Sequence, residues 1–114
     1  MAGVEQPMAK FTLHDLEKRI QERAKASPEV SYTRKLLDRG AAQCAKKMGE
    51  EAVETVIAAA AESRERLIAE AGDLLYHLLI VLHARDISLD EIEAALSERQ
   101  SMTGLEEKSA RPRE

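Results

Sequence analysis

Five carboxylates carry the chemistry that can be read from this sequence: Glu50-Glu51-x-x-Glu54 and Glu70-x-x-Asp73, each set in an otherwise apolar, helix-patterned stretch. Side chains three or four residues apart on a helix share a face. Glu50 with Glu54, Glu51 with Glu54, and Glu70 with Asp73 therefore project together toward whatever packs alongside. If the two helices run antiparallel, the two groups converge. Acids gathered in a partly buried seam repel one another and lose hydration, unless a hard divalent cation takes their oxygens as ligands. Mg²⁺ suits such a set, because it binds through a few carboxylates and leaves the rest of its octahedron to water and substrate phosphates. It would neutralise phosphate charge, orient a di- or triphosphate and activate a water for attack on phosphorus, with a spare carboxylate as general base. The spacing does not say which acid takes that last part.

An ordinary solvated face, supported by Lys46 and Lys47 one turn earlier, is the competing explanation for Glu50, Glu51 and Glu54. Two details count against it: Lys before Glu is the poorer orientation for such pairs, and Glu50 with Glu54 is a like-charge pair one turn apart. At Glu70 and Asp73 it weakens further, since Ala69, Ala71, Gly72, Leu74 and Leu75 surround them. Lys47 shares the acidic stripe and is placed either to touch a phosphate oxygen or to pair with an acid. His77, one turn beyond Asp73, reads as a polar contact to substrate or as a hydrogen-bonded core histidine. Gly49 and Gly72 beside the two acidic groups suit a close approach of helix or substrate, and ordinary packing explains them equally. The chain has no Walker A loop, Rossmann glycine fingerprint or nucleophile elbow.

Helices must position these residues. Phe11, Leu13, Leu16 and Ile20 recur with helical spacing behind a Thr12 N-cap, predicting a helix that ends near Ala26 ahead of Ser27-Pro28. A short helix from about Thr33 to Arg39 follows, and Gly40 marks a joint. A long helix then runs to about Ala61, with Met48, Val53, Val56, Ile57 and Ala60 among its apolar residues. Ser63 caps the next, which extends to about Ala84 and is apolar nearly all round in its second half. Ser88-x-x-Glu91 is a capping-box pattern ahead of a last helix from about Leu89 to Gln100. Residues 1–10 read as a loose leader, 11–104 as one domain and 105–114 as a charged tail. Leu74, Leu75, Leu78, Leu79, Val81 and Leu82 leave no polar stripe wide enough for a solvent face, which predicts a helical homodimer or larger assembly.

Composition sets the outer limits. With 114 residues, 44% of them hydrophobic and 3% aromatic, the chain reads as one all-α domain. A formal net charge of -4 disfavours a duplex nucleic-acid binder and leaves room for a small anionic ligand held through metal. Cys44 is the only cysteine, which excludes an intramolecular disulfide and a Cys-based zinc cage and fits a reducing cytosol. The N-terminus has no apolar h-region and the run Leu74 to Leu82 is too short to span a bilayer, so a cytoplasmic protein without membrane attachment is expected.

The paired signature Glu51-x-x-Glu54 and Glu70-x-x-Asp73 resembles that of the all-α MazG-like nucleotide pyrophosphohydrolases. Within that superfamily, several features resemble the phosphoribosyl-ATP pyrophosphohydrolase family: Ser31-Tyr32-Thr33-x-x-Leu36-Leu37, Gly40, Lys47, Glu50, Asp73-Leu74-Leu75-Tyr76-His77 and Gly104-Leu105-Glu106-Glu107-Lys108. The likeness covers roughly Phe11 to Arg111. It implies a MazG-like helical bundle completed by homodimerisation. It also implies Mg²⁺-dependent hydrolysis of phosphoribosyl-ATP between its α and β phosphates, giving phosphoribosyl-AMP and pyrophosphate in histidine biosynthesis. By position it makes Glu50, Glu51, Glu54, Glu70 and Asp73 the catalytic acids, with Glu51, Glu54, Glu70 and Asp73 as metal ligands. Lys47 and Ser31, Tyr32 and Thr33 become substrate contacts; to these we add His77, and we give the phosphoribosyl group to the Ser31-Tyr32-Thr33 segment with Arg34 or Lys35. The alternatives are a housecleaning nucleoside triphosphate pyrophosphohydrolase with the same metal chemistry and a non-catalytic helical dimerisation module.

Overall fold

The computed structural model describes residues Lys10–Gln100, and the expected tail and most of the expected leader lie outside them. Among the described residues five helices follow in order: α1 Leu13–Arg23, α2 Tyr32–Asp38, α3 Ala41–Ala61, α4 Arg64–Ala84 and α5 Leu89–Arg99. No strand occurs among the described residues, and the fold is all-α as the composition predicts.

Local chemistry accounts for the boundaries. Thr12 and Ser88 each form a full capping box, with Asp15 and Glu91 returning the bond, while Ser31 and Ser63 accept from Arg34 N and Arg66 N. A cap of this kind is worth about 1 kcal/mol. The α1 helix ends three residues earlier than its periodicity suggested. Its last carbonyls are taken by the tighter bonds Lys25 N to Glu22 O and Ala26 N to Arg23 O, which wind the chain into the turn before Pro28. Gly40 turns the chain between α2 and α3 at φ 94°, a conformation that a β-carbon would strain. Beyond α4, Asp86 takes φ 59° while Ile87 N bonds Leu82 O and Asp86 N bonds His83 O, a Schellman ending with Asp where Gly is usual.

α3 and α4 are joined only by Glu62 and Ser63, so they fold back on each other as a helical hairpin. The residues α3 buries are Cys44, Glu51 and Ala58, seven apart, and α4 buries Glu70, His77, Leu79 and Ile80. Val53, Val56 and Ile57 face outward, because the narrow seam against α4 is filled by small residues and one carboxylate. Ile20, Leu36, Cys44, Leu79, Ile80 and Leu89 form the apolar core, which gathers α1, α2, the start of α3, the end of α4 and the start of α5. Burying such a Leu or Ile contributes about 1.5–3 kcal/mol. The core therefore occupies one end of the hairpin and leaves Glu51 and Glu70 toward the other.

Among the described residues α4 alone is long and apolar enough, by length and composition, to cross a membrane. The Leu74 to Leu82 run is lengthened by the alanines and glycine before it. In this fold α4 is the central helix, packed against α1, α2 and α3 and carrying Glu70 and Asp73.

Candidate active site

Each acid comes from a helix whose register the hairpin fixes. Glu51 sits between Cys44 and Ala58 on the buried side of α3, and Glu70 lies seven residues before His77 on the buried side of α4. They are 7% and 8% exposed, whereas Asp73, one turn on from Glu70, opens to solvent. Ligand oxygens of Glu51, Glu70 and Asp73 all lie within 4.8 Å of one another. Thr55 ties the two helices at this level, its hydroxyl 2.8 Å from the Glu51 carbonyl and 3.2 Å from that of Glu70.

The charges around the seam show what it lacks. Lys47 Nζ lies 3.5 Å from Glu51 and 3.6 Å from Glu50, and Arg66 Nη2 lies 3.3 Å from Glu70. Partial burial disfavours the Lys47 ammonium, but Tyr32, Glu51 and Glu50 outweigh it and hold its pKa above the ordinary value. The Glu54 carboxyl is pushed up by a hydrogen bond to Glu51 and by repulsion from Glu51 and Glu70, although it is itself exposed. Two side-chain cations at the edges thus leave the carboxylates crowded enough for one to retain its proton more readily. Three oxygen ligands in a small space, two of them buried, are a donor set that fits a hard divalent ion such as Mg²⁺.

Beside the acids stands a polar aromatic wall. His77 donates Nδ1–H to the Asp73 carbonyl at 2.8 Å, which leaves Nε2 facing the Tyr32 hydroxyl at 3.3 Å. Tyr32 and Tyr76 stack with centroids 6.5 Å apart, and the Tyr76 hydroxyl bonds Thr33 Oγ1 at 2.6 Å. Burial pushes the Tyr32 phenol up, so its O–H remains a donor across the neutral range.

The structure brings Glu51, Glu70 and Asp73 together, sets Glu54 beside them outside that close group, and leaves Glu50 exposed on Lys47. Ser31 and Thr33, proposed above as substrate contacts, are 2% and 3% exposed. The Ser31 hydroxyl donates to Arg23 O and caps α2, and that of Thr33 meets Tyr76. Arg34 is held by Asp38 at 2.9 Å and by the Ala26 carbonyl at 3.1 Å, and Lys35 lies exposed near Glu29. Apart from its own helix and chain neighbours, no described atom comes within 4 Å of a β-carbon placed on Gly49 or Gly72, so neither marks a close approach of another helix among the described residues. Sequence reasoning missed Thr55 and Arg66, each four residues from a seam acid and therefore on its face. It also missed Arg39, Gln43 and Lys46, which with Tyr32 and Lys47 line a cleft of about 240 Å³. The bend at Gly40 that brings Arg39 to α3 leaves no periodic trace.

A helical hairpin that faces buried carboxylates across its seam, with Lys, Arg and hydroxyl groups at its edge, fits an enzyme that acts on nucleotide phosphates. The comparisons narrow the class. The phosphoribosyl-ATP pyrophosphohydrolase family matches residues 13–100, and the chain belongs to that family, whose fold is MazG-like. The phosphoribosyl-ATP pyrophosphatase 1 of Bradyrhizobium diazoefficiens is 64% identical over 91% of this chain and 98% of its own length. The phosphoribosyl-ATP pyrophosphatase of Nitrobacter hamburgensis is 56% identical over 94% and 100%, and that of Agrobacterium fabrum 54% identical over 92% and 98%.

Proposed function

We propose that this chain hydrolyses phosphoribosyl-ATP at the α–β anhydride bond, releasing pyrophosphate and phosphoribosyl-AMP, as the second step of histidine biosynthesis in the cytoplasm. Family membership across the described helices supports the substrate, and the meeting of Glu51, Glu70 and Asp73 carries the chemistry. Glu51, Glu70 and Asp73 would hold Mg²⁺, with Glu54 beside them. When bound, the ion supplies positive charge to the phosphates and acidity to a water. Glu54 is the residue best placed as general base, because its raised pKa and exposure let it take a proton without leaving the seam. Lys47 is poised to exchange a carboxylate for a phosphate oxygen, while Thr55 and Arg66 keep Glu51 and Glu70 in position. Tyr32 presents a hydroxyl fixed by His77, and Thr33 and Tyr76 brace it from behind.

The working form we propose is a homodimer. Val53, Val56 and Ile57 on α3 and Ile68, Leu75 and Leu78 on α4 are exposed, more apolar surface than one hairpin ordinarily leaves to water.

Pyrophosphate release from phosphoribosyl-ATP and from ATP, with and without Mg²⁺, tests the activity. The expected result is at least about a hundredfold preference for phosphoribosyl-ATP, dependent on Mg²⁺. Comparable turnover of both would favour a housecleaning enzyme, and turnover of neither a non-catalytic module.

A further inference from the structure

We infer that the cleft between the end of α2 and the first half of α3 seats the phosphate of the phosphoribosyl group, and that Arg39 and Lys46 separate phosphoribosyl-ATP from ATP. This rests on the activity proposed above and names how that site chooses its substrate. Both nucleotides carry the triphosphate that the acidic seam handles. They differ by a ribose 5-phosphate on the base, so discrimination needs a second anion site away from the seam.

The cleft supplies one. Its volume is about 240 Å³, and Tyr32, Arg39, Gln43, Lys46, Lys47 and Glu50 face it. Gln43, Lys46, Lys47 and Glu50 share one face of α3, and Arg39 caps the end of α2 opposite them. The one carboxylate on the wall, Glu50, is paired to Lys47, and Lys47 is engaged by Glu50 and Glu51. Arg39 and Lys46 have no ion-pair partner among the described residues. Two uncommitted cations facing one small polar cleft, in a chain whose net charge is -4, mark a place for a compact anion. The Gln43 amide adds neutral donors suited to phosphate or sugar oxygens, and the Tyr32 oxygen, its proton directed at His77 Nε2, is left to accept from a sugar hydroxyl. The cleft also borders the catalytic seam through one side chain. Lys47 belongs to both, and Gln43 precedes Glu51 by two turns of α3, about 12 Å of helix. A nucleotide with phosphates at both ends, held apart by two riboses and a purine, matches that separation, whereas ATP would leave the cleft empty.

Steady-state kinetics on Arg39→Gln, Lys46→Gln and the double variant, with phosphoribosyl-ATP and ATP side by side, test the assignment. Each single change should lower kcat/KM for phosphoribosyl-ATP about tenfold, mainly through KM, and the double about a hundredfold, while ATP changes less than about threefold. Arg39→Lys should recover most of the loss. Ribose 5-phosphate should compete with phosphoribosyl-ATP on the unaltered protein and lose at least about tenfold in potency on the double variant. An equal loss with both nucleotides, or an unchanged ratio between them, overturns the assignment while leaving the activity standing. An unaltered protein that does not hydrolyse phosphoribosyl-ATP overturns the activity and this assignment with it.

Discussion

Among the described residues two places gather three potential metal ligands within 4.8 Å, and they are built differently. In the seam of α3 and α4, Glu51 and Glu70 replace core residues in two stripes of sevenfold spacing, with the hairpin closing over them. On the far side, His14 of α1 meets Asp90 at 3.8 Å and Glu93 at 3.0 Å of α5, and all three are exposed. The second cluster satisfies itself: one cation-capable ring stands between two acids, as exposed and solvent-screened ion pairs do. The seam has three acids and its cations at the rim. Burial with a deficit of positive charge, rather than ligand count, is the reason we propose the seam and not the surface cluster as the ion site.

The largest effect expected is on turnover. Glu51→Gln, Glu70→Gln and Asp73→Asn should each lower Mg²⁺-dependent pyrophosphate release at least about a hundredfold, with helicity retained, because each replaces an anionic ligand by a near-isosteric amide. His14→Ala and Glu93→Gln should stay within about twofold of the unaltered protein. A strong loss from the surface pair would erase the distinction between the clusters.

Next in size is stabilisation by the ion itself. Mg²⁺ at a hundred times its dissociation constant should stabilise the fold by about 2.7 kcal/mol, read as a rise in melting temperature. The rise should vanish in Glu70→Gln and persist in Glu93→Gln. An equal rise in both variants would place the ion elsewhere.

The smallest effects are those of pH, and the two clusters respond through different groups. The His14 pKa is raised by its hydrogen bond to Glu93 against slight desolvation, with Glu93, Asp90 and Glu17 adding their charges. The clip between α1 and α5 is therefore fully formed below the ordinary histidine value of 6.5 and is lost as pH rises through the raised value. In the metal-free seam the raised Glu54 pKa acts lower on the scale. Its contribution is present below the ordinary carboxyl range and lost as pH rises through the raised value. Glu93→Gln should move the His14 titration, followed by NMR, back toward the ordinary value and leave the acid-range response unchanged. Movement of both would couple regions that the structure keeps apart.

Much of this arrangement was legible because helices announce themselves locally. Thr12, Ser63 and Ser88 fixed three starts, and Gly40 marked its joint. The acids stood out because charge is rare on an apolar stripe. Packing was harder to see. Which apolar residues of α3 are buried was not readable from the pattern: Val53, Val56 and Ile57 lie exposed while the hairpin buries Cys44 and Ala58, since helix approach selects size as well as hydrophobicity. Ser31 and Thr33 read as substrate contacts because nothing in sequence shows that one is consumed as a cap and the other by Tyr76. The cation cleft was hidden for a related reason: Arg39 and Lys46 lie on different helices, and only the turn at Gly40 makes them neighbours.

The most direct test of the contrast between the clusters is Mn²⁺ binding followed by electron paramagnetic resonance, without nucleotide, on the unaltered protein, Glu70→Gln and His14→Ala. Binding by the unaltered protein and His14→Ala, with loss in Glu70→Gln, is the result predicted by a buried carboxylate site. Loss in His14→Ala with full binding by a well-folded Glu70→Gln would contradict it, and would move the metal from the seam to the surface.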